Sequence, residues 1–152
     1  MTIRPALPAD FAPIYAIWLA GIAHSFAGFA HPADLREQFE HNFTGCRPPF
    51  GFWVAEEAGQ VLGWCSILPA FSHPLKRNTE AEVSTYVGID TQKHGIGTGL
   101  MQAVFTELEG TGIECVWGFA KSDNQRSIRM CEKAGMRVCG NSTTKTILVR
   151  EY

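Results

Sequence analysis

Between Ala81 and Val87 the chain alternates. Val83, Thr85 and Val87 fall on one side of an extended strand, and Glu82, Ser84 and Tyr86 on the other. Val, Thr and Tyr favour strands, and a strand with a carboxylate and two hydroxyls on one face is suited to border a cleft. A glycine-rich run, Gln92–Gly99, follows, and then Leu100, Met101, Val104, Phe105 and Leu108 recur at helical spacing. The order is therefore strand, glycine loop, helix. Glycines let backbone approach a ligand, and the free N–H groups of a helix start attract anions.

The rest of the chain reads around this centre. Thr2–Ala6 predicts a short strand. Asp10 is a candidate N-cap for a helix carrying the stripe Phe11, Ile14, Ile17, Trp18 and Ile22, with Pro13 in its first turn. Residues His24–Phe50 are aromatic and irregular, with a short second helix over Pro32–His41 capped by His31 or Asp34. Phe52–Glu56 and Gln60–Leu68 predict a hairpin about Ala58-Gly59. Pro69–Asn78 reads as a loop before the central strand. The helix after the glycine loop spans Thr98–Glu109 and ends at Gly110–Gly112. A buried strand, Ile113–Phe119, precedes a helix capped by Asp123 or Asn124 and ended by Gly135. Arg137–Cys139 and Thr144–Val149 predict a closing hairpin about Gly140-Asn141.

Composition narrows the possibilities. The 152 residues suit one domain spanning 1–152, 45% hydrophobic and 18% charged, with a formal charge of −2. No basic run offers a nucleic-acid surface. No apolar run approaches about 20 residues, so no membrane partner is expected. The first residues lack a signal-peptide core, which predicts a cytoplasmic protein. Cys46, Cys65, Cys115, Cys131 and Cys139 form no C-x-x-C pair and are odd in number. That pattern disfavours zinc or a disulfide framework, so no metal is expected and the cysteines read mostly as buried small apolar residues.

The glycine spacing is neither G-x-G-x-x-G nor a P-loop. Gln92 to Gly97 fits Q/R-x-x-G-x-G/A, which resembles the pyrophosphate loop of the GNAT N-acetyltransferase superfamily. A second block, Asn124-Gln125-Arg126-Ser127 followed by Cys131-Glu132-Lys133-Ala134-Gly135-Met136, is similar to that family's N-x-x-[SA]…Y-E-K-x-G-F. The whole element order fits the family's α+β, three-layer fold: a mixed central sheet flanked by helices. Glu82–Val87 looks like the E-H-S-V-Y-V strand of the branch that includes phosphinothricin and methionine sulfoximine acetyltransferases, with Val83 in place of His. Trp53–Glu56 with Gly59, Val61, Leu62 and Gly63 looks like that branch's VAE-x-x-G-x-V-x-G hairpin. Ser25-Phe26-Ala27 stands near its Thr-Phe-Glu segment without the acid.

The resemblance implies acetyl-CoA as co-substrate. Gln92, Lys93, His94, Gly95, Ile96, Gly97 and Thr98 would hold its pyrophosphate. Tyr86 and Val87 would lie along the pantetheine, with Asn124 and Ser127 touching the cofactor from the last helix. Cys131 takes the position where many relatives carry the Tyr that protonates the leaving thiolate. Phe26 would border the acceptor, and the branch implies a homodimer.

Acetyl transfer to an amine also needs a base. Glu82, on the polar face of the central strand, is the candidate for taking the ammonium proton directly or through water. An amino-acid acceptor would need a cation for its carboxylate, and Lys76 and Arg77 precede the strand. The expected activity is N-acetylation of a small amino-acid-like amine by direct attack in a ternary complex. A polyamine or other amine acceptor remains an alternative, as does a non-catalytic acyl-CoA sensor on the same fold.

Overall fold

The computed structural model describes residues 1–91 and 95–152. Seven strands form one sheet: β1 (Thr2–Pro5), β2 (Gly51–Glu57), β3 (Gln60–Pro69), β4 (Glu80–Val87), β5 (Cys115–Lys121), β6 (Arg137–Asn141) and β7 (Lys145–Glu151). Their order is β1-β2-β3-β4-β5-β7-β6. Only β4 and β5 pair parallel, and the other neighbours are antiparallel. Four helices flank the sheet: α1 (Phe11–Ser25), α2 (Leu35–Gly45), α3 (Ile96–Leu108) and α4 (Gln125–Lys133). The expected three-layer mixed-sheet architecture is the one found.

The alternation in β4 sorts the two layers. Ala81 and Val83 join Cys65 and Ile67 of β3 beneath Leu100, Met101, Val104 and Phe105 of α3 and Ile128 and Cys131 of α4. Tyr86 joins the opposite core, where Phe52, Val54 and Trp64 of the sheet meet Ile14 of α1 and Phe39 of α2. That second layer is aromatic. Phe39 stacks on Trp18 at 4.4 Å between centroids and meets Trp64 edge-on at 5.8 Å. The stripe read in α1 is thus core packing, with Ile14 and Ile22 buried.

Several boundaries differ from the sequence reading. The second helix begins at Leu35, not Pro32, and runs on to Gly45. Phe39 and Phe43 anchor it to the sheet, so tertiary packing fixes its extent. Asp10 precedes α1, yet its side chain makes no forward cap. It accepts the Leu7 N–H at 2.7 Å and binds Arg4 at 2.7 Å, which lowers its carboxyl pKa. The strand read as Ile113–Phe119 lies at Cys115–Lys121, because β7 pairs it to its end, Lys121 opposite Lys145.

The last hairpin does not turn at Gly140-Asn141. Both residues are in β6, beside a register shift after Val138, and the turn is 142–144. There the Ser142 Oγ accepts the Thr144 and Lys145 N–H groups, and Asn141 Oδ1 accepts from the Thr146 hydroxyl at 3.0 Å. Those side-chain bonds hold the turn at 142–144, beyond the glycine. The cysteines are free, but only Cys65 and Cys131 are buried; Cys46 and Cys115 are half-buried and Cys139 is exposed.

Candidate active site

β4 and β5 part company early. Their parallel register covers Glu80↔Cys115, Ala81↔Val116 and Glu82↔Trp117, whereas β3 stays paired with β4 through Val87. Beyond Glu82, the β5-facing backbone of β4 has no strand partner among the described residues. An opening in mid-sheet with unpaired N–H and C=O groups can accept a ligand as an added strand would be accepted.

α3 starts beside this opening. Its N-cap, Gly95, is left-handed at φ +84° and supplies no side-chain cap, so the helix start offers backbone N–H groups to an anion. Gln92, Lys93 and His94 lie outside the described residues. Ile96 and Gly97 are buried and Thr98 is half-buried. Gly97 is small for a further reason: a Cβ there would sit 2.3 Å from Met130 Sδ and 3.6 Å from Thr85 Cγ2. It lets α4 close over the start of α3. These groups fit a pyrophosphate at the helix start and an extended arm along β4. When bound, acetyl-CoA brings the acetyl thioester to this opening.

Glu82 sits where the strands diverge. It is half-buried, no described residue hydrogen-bonds to its carboxylate, and burial raises its pKa against the pull of Lys145. A desolvated, unpartnered carboxylate accepts a proton more readily than an exposed one. Tyr86, on the same face, turns its ring toward α1, with Trp18 and Ser25 beside its hydroxyl, and stacks on Trp64 at 5.1 Å. The Tyr86 side chain therefore belongs to the α1 side of the sheet, and only its backbone, with that of Val87, faces the opening.

The other expected residues fall as follows. Phe26, one residue past α1, is exposed and meets Phe29 edge-on at 5.7 Å. Its neighbour Ser25 stands beside the Tyr86 hydroxyl. Asn124 caps α4, accepting the Ser127 N–H at 3.1 Å. Cys131 lies in the α3–α4 core, and burial pushes its thiol up to about 11. Such a thiol stays protonated at neutral pH and makes a poor nucleophile. Lys76 is engaged, 3.8 Å from Glu80 and 5.3 Å from the centre of the Phe71 ring. Arg77 is exposed in the same loop.

Three residues on the Glu82 face were missed. Trp117 is the cross-strand neighbour of Glu82 and reaches Glu80 Oε1 at 3.4 Å. Phe119 follows two residues on, exposed, with Lys145 Nζ 4.6 Å from its ring centre. The alternation Cys115-Trp117-Phe119 was visible in the sequence. That it shares a face with Glu82 depends on the β4–β5 register, which no local pattern encodes.

A sheet split at its centre, a glycine-started helix beside the split and a desolvated carboxylate at its base are a setting into which an acyl-CoA fits. The chain belongs to the Acetyltransferase (GNAT) family, whose model matches residues 18–136. It is an acetyl-CoA-dependent N-acetyltransferase. It is 29% identical over 141 residues to an L-methionine sulfoximine/L-methionine sulfone acetyltransferase of Pseudomonas aeruginosa, covering 91% of this chain and 81% of that one. A crystal structure described as a putative phosphinothricin N-acetyltransferase superposes with a TM-score of 0.79 at 27% identity, over 99% of this chain and 97% of that one. The acetyl-CoA complex of a phosphinothricin acetyltransferase from Sinorhizobium meliloti shares the fold, with a TM-score of 0.80 at 19% identity over 99% and 87% of the two chains.

Proposed function

We propose that this enzyme acetylates the primary amine of a small amino-acid-like acceptor of the methionine sulfoximine or phosphinothricin type. The observation that carries the reading is Glu82: a half-buried carboxylate with no hydrogen bond from the described residues, at the divergence of β4 and β5 and beside an aromatic surface. The names of the relatives support the acceptor class.

Gly95–Thr98, with Gln92, Lys93 and His94, hold the pyrophosphate. The backbone of Tyr86 and Val87 lines the pantetheine, and Asn124 and Ser127 meet the cofactor from α4. Glu82 takes the ammonium proton, directly or through a water, so that the amine attacks within a ternary complex. Orientation by the split sheet supplies the remainder of the rate advantage. Cys131, protonated and buried, donates weakly at most toward the departing sulfur. Phe26 borders the acceptor, and Lys76 and Arg77 stand at the rim.

The domain is one catalytic unit acting in the cytoplasm as a homodimer. The five free thiols suit a reducing compartment, and the exposed Val138 on edge strand β6 supplies apolar surface for a partner copy. An acyl-CoA sensor would have no use for a desolvated base, and Glu82 therefore favours the enzyme. Thiol release from acetyl-CoA is the test, with methionine sulfone, methionine sulfoximine, phosphinothricin, spermidine and a peptide N-terminus as acceptors. Turnover of an amino-acid analogue ahead of the others is expected. Preference for spermidine or the peptide would reject the acceptor class, and so would the absence of thiol release with all three amino-acid analogues.

A further inference from the structure

The exposed floor beside Glu82 carries a cation of its own. Glu82 lies opposite Trp117, and Phe119 follows on the same face of β5, about 7 Å along the strand at an ordinary rise. In β7, Ile147 lies opposite Phe119 and Lys145 opposite Lys121. Antiparallel partners share a face, so Lys145 projects from the surface that carries Glu82. Its Nζ lies 4.6 Å from the centre of the Phe119 ring, the next residue of that face after Trp117.

The pair Lys121 and Lys145 is unfavourable by itself. Like charges directly opposite on a sheet repel. No carboxylate among the described residues forms an ion pair with either lysine, although other surface cations find one: Arg137 pairs with Glu151 and Lys76 with Glu80. An anion bound at Lys145 would relieve that repulsion. Lys76, by contrast, is already committed to Glu80 and the Phe71 ring.

We propose that Lys145 is a specificity-determining residue that receives the acceptor's carboxylate, so that Glu82 and Lys145 engage the two charged ends of one amino acid across the Trp117–Phe119 floor. The assignment rests on the amino-acid-like acceptor proposed above and moves its anion site from the loop before β4 to β7. Electrostatics agree, since Lys145 is near enough to draw the Glu82 carboxyl down against its burial. A cation close to the base also favours an acceptor that brings its own negative charge.

The test compares L-methionine sulfone with its carboxamide, which keeps the amine and loses the anion. Steady-state kinetics would be run on the wild type, Lys145→Gln, Lys145→Arg and Lys76→Gln. Lys145→Gln is expected to lower the sulfone-to-carboxamide ratio of kcat/KM by roughly tenfold or more, through KM for the sulfone. Lys145→Arg should restore most of the ratio, and Lys76→Gln should leave it in place. An unchanged ratio in Lys145→Gln, or a rise in its KM for acetyl-CoA alone, overturns the assignment while the acceptor reading stands. A wild type that prefers the carboxamide overturns both.

Discussion

Gly21 of α1 and Tyr86 of β4 interlock. A Cβ at Gly21 would lie 2.4 Å from Tyr86 Cδ1 and 2.7 Å from Cε1. The helix can thus approach the sheet closely enough to sandwich the ring against Trp64. This contact sets the last turns of α1 on β4 and brings Ser25 beside the Tyr86 hydroxyl.

Gly21→Ala is therefore expected to cost about 1–3 kcal/mol, because the Tyr86 ring is confined and cannot swing aside. Urea denaturation should record a lower midpoint at unchanged slope. A rise in KM for the acceptor, with KM for acetyl-CoA held, would show that the α1 end positions acceptor groups.

Glu82→Gln should lower kcat roughly 10²-fold or more if Glu82 is the general base. The pH dependence carries a sign. The base must be ionised, and burial holds the Glu82 carboxyl above the ordinary carboxylate range. Activity should fall as pH drops through that raised value, so the acid limb lies above that of an ordinary glutamate. An acid limb that survives unchanged in Glu82→Gln would assign the proton to another group.

Cys131→Ala should keep most of the activity and cost about 1 kcal/mol of stability, since the thiol acts mainly as a small buried packing group. Near-complete loss of turnover in a variant with an intact thermal transition would instead make the thiol the acid for the leaving group.

Static light scattering at micromolar concentration is expected to give about twice the 16.8 kDa chain mass. A value at the single-chain mass would reject the homodimer. A charged substitution at the exposed Val138 that converts dimer to monomer would place the interface on β6.

Replacing Gly97 with a bulky residue is a poor probe of cofactor binding, because its Cβ position is taken by Met130. Loss of binding there would mix a broken α3–α4 contact with a blocked anion site. Ligand-detected binding of CoA to Thr98→Ala avoids that ambiguity, and a several-fold weaker affinity is expected if the hydroxyl contacts phosphate.

The sequence by itself determined the central strand's two faces, the glycine turn into α3, a cap for α4 at Asp123 or Asn124 and the membership of the fold. Those features are local: period-two alternation, the backbone freedom of glycine and a side chain bonding an N–H three residues on. Glu82 was legible for the same reason, as a carboxylate on the polar side of an alternating strand. Tertiary structure decided what alternation cannot. It set where β4 and β5 stop pairing, which makes the opening, and which residues of β5 and β7 share the Glu82 face. It buried Cys131 and gave Lys76 to Glu80. It moved the last turn to 142–144 through side-chain bonds from Ser142 and Asn141. Register across strands far apart in sequence is fixed by packing on both layers at once, so Trp117, Phe119 and Lys145 became neighbours of Glu82 only in the folded sheet.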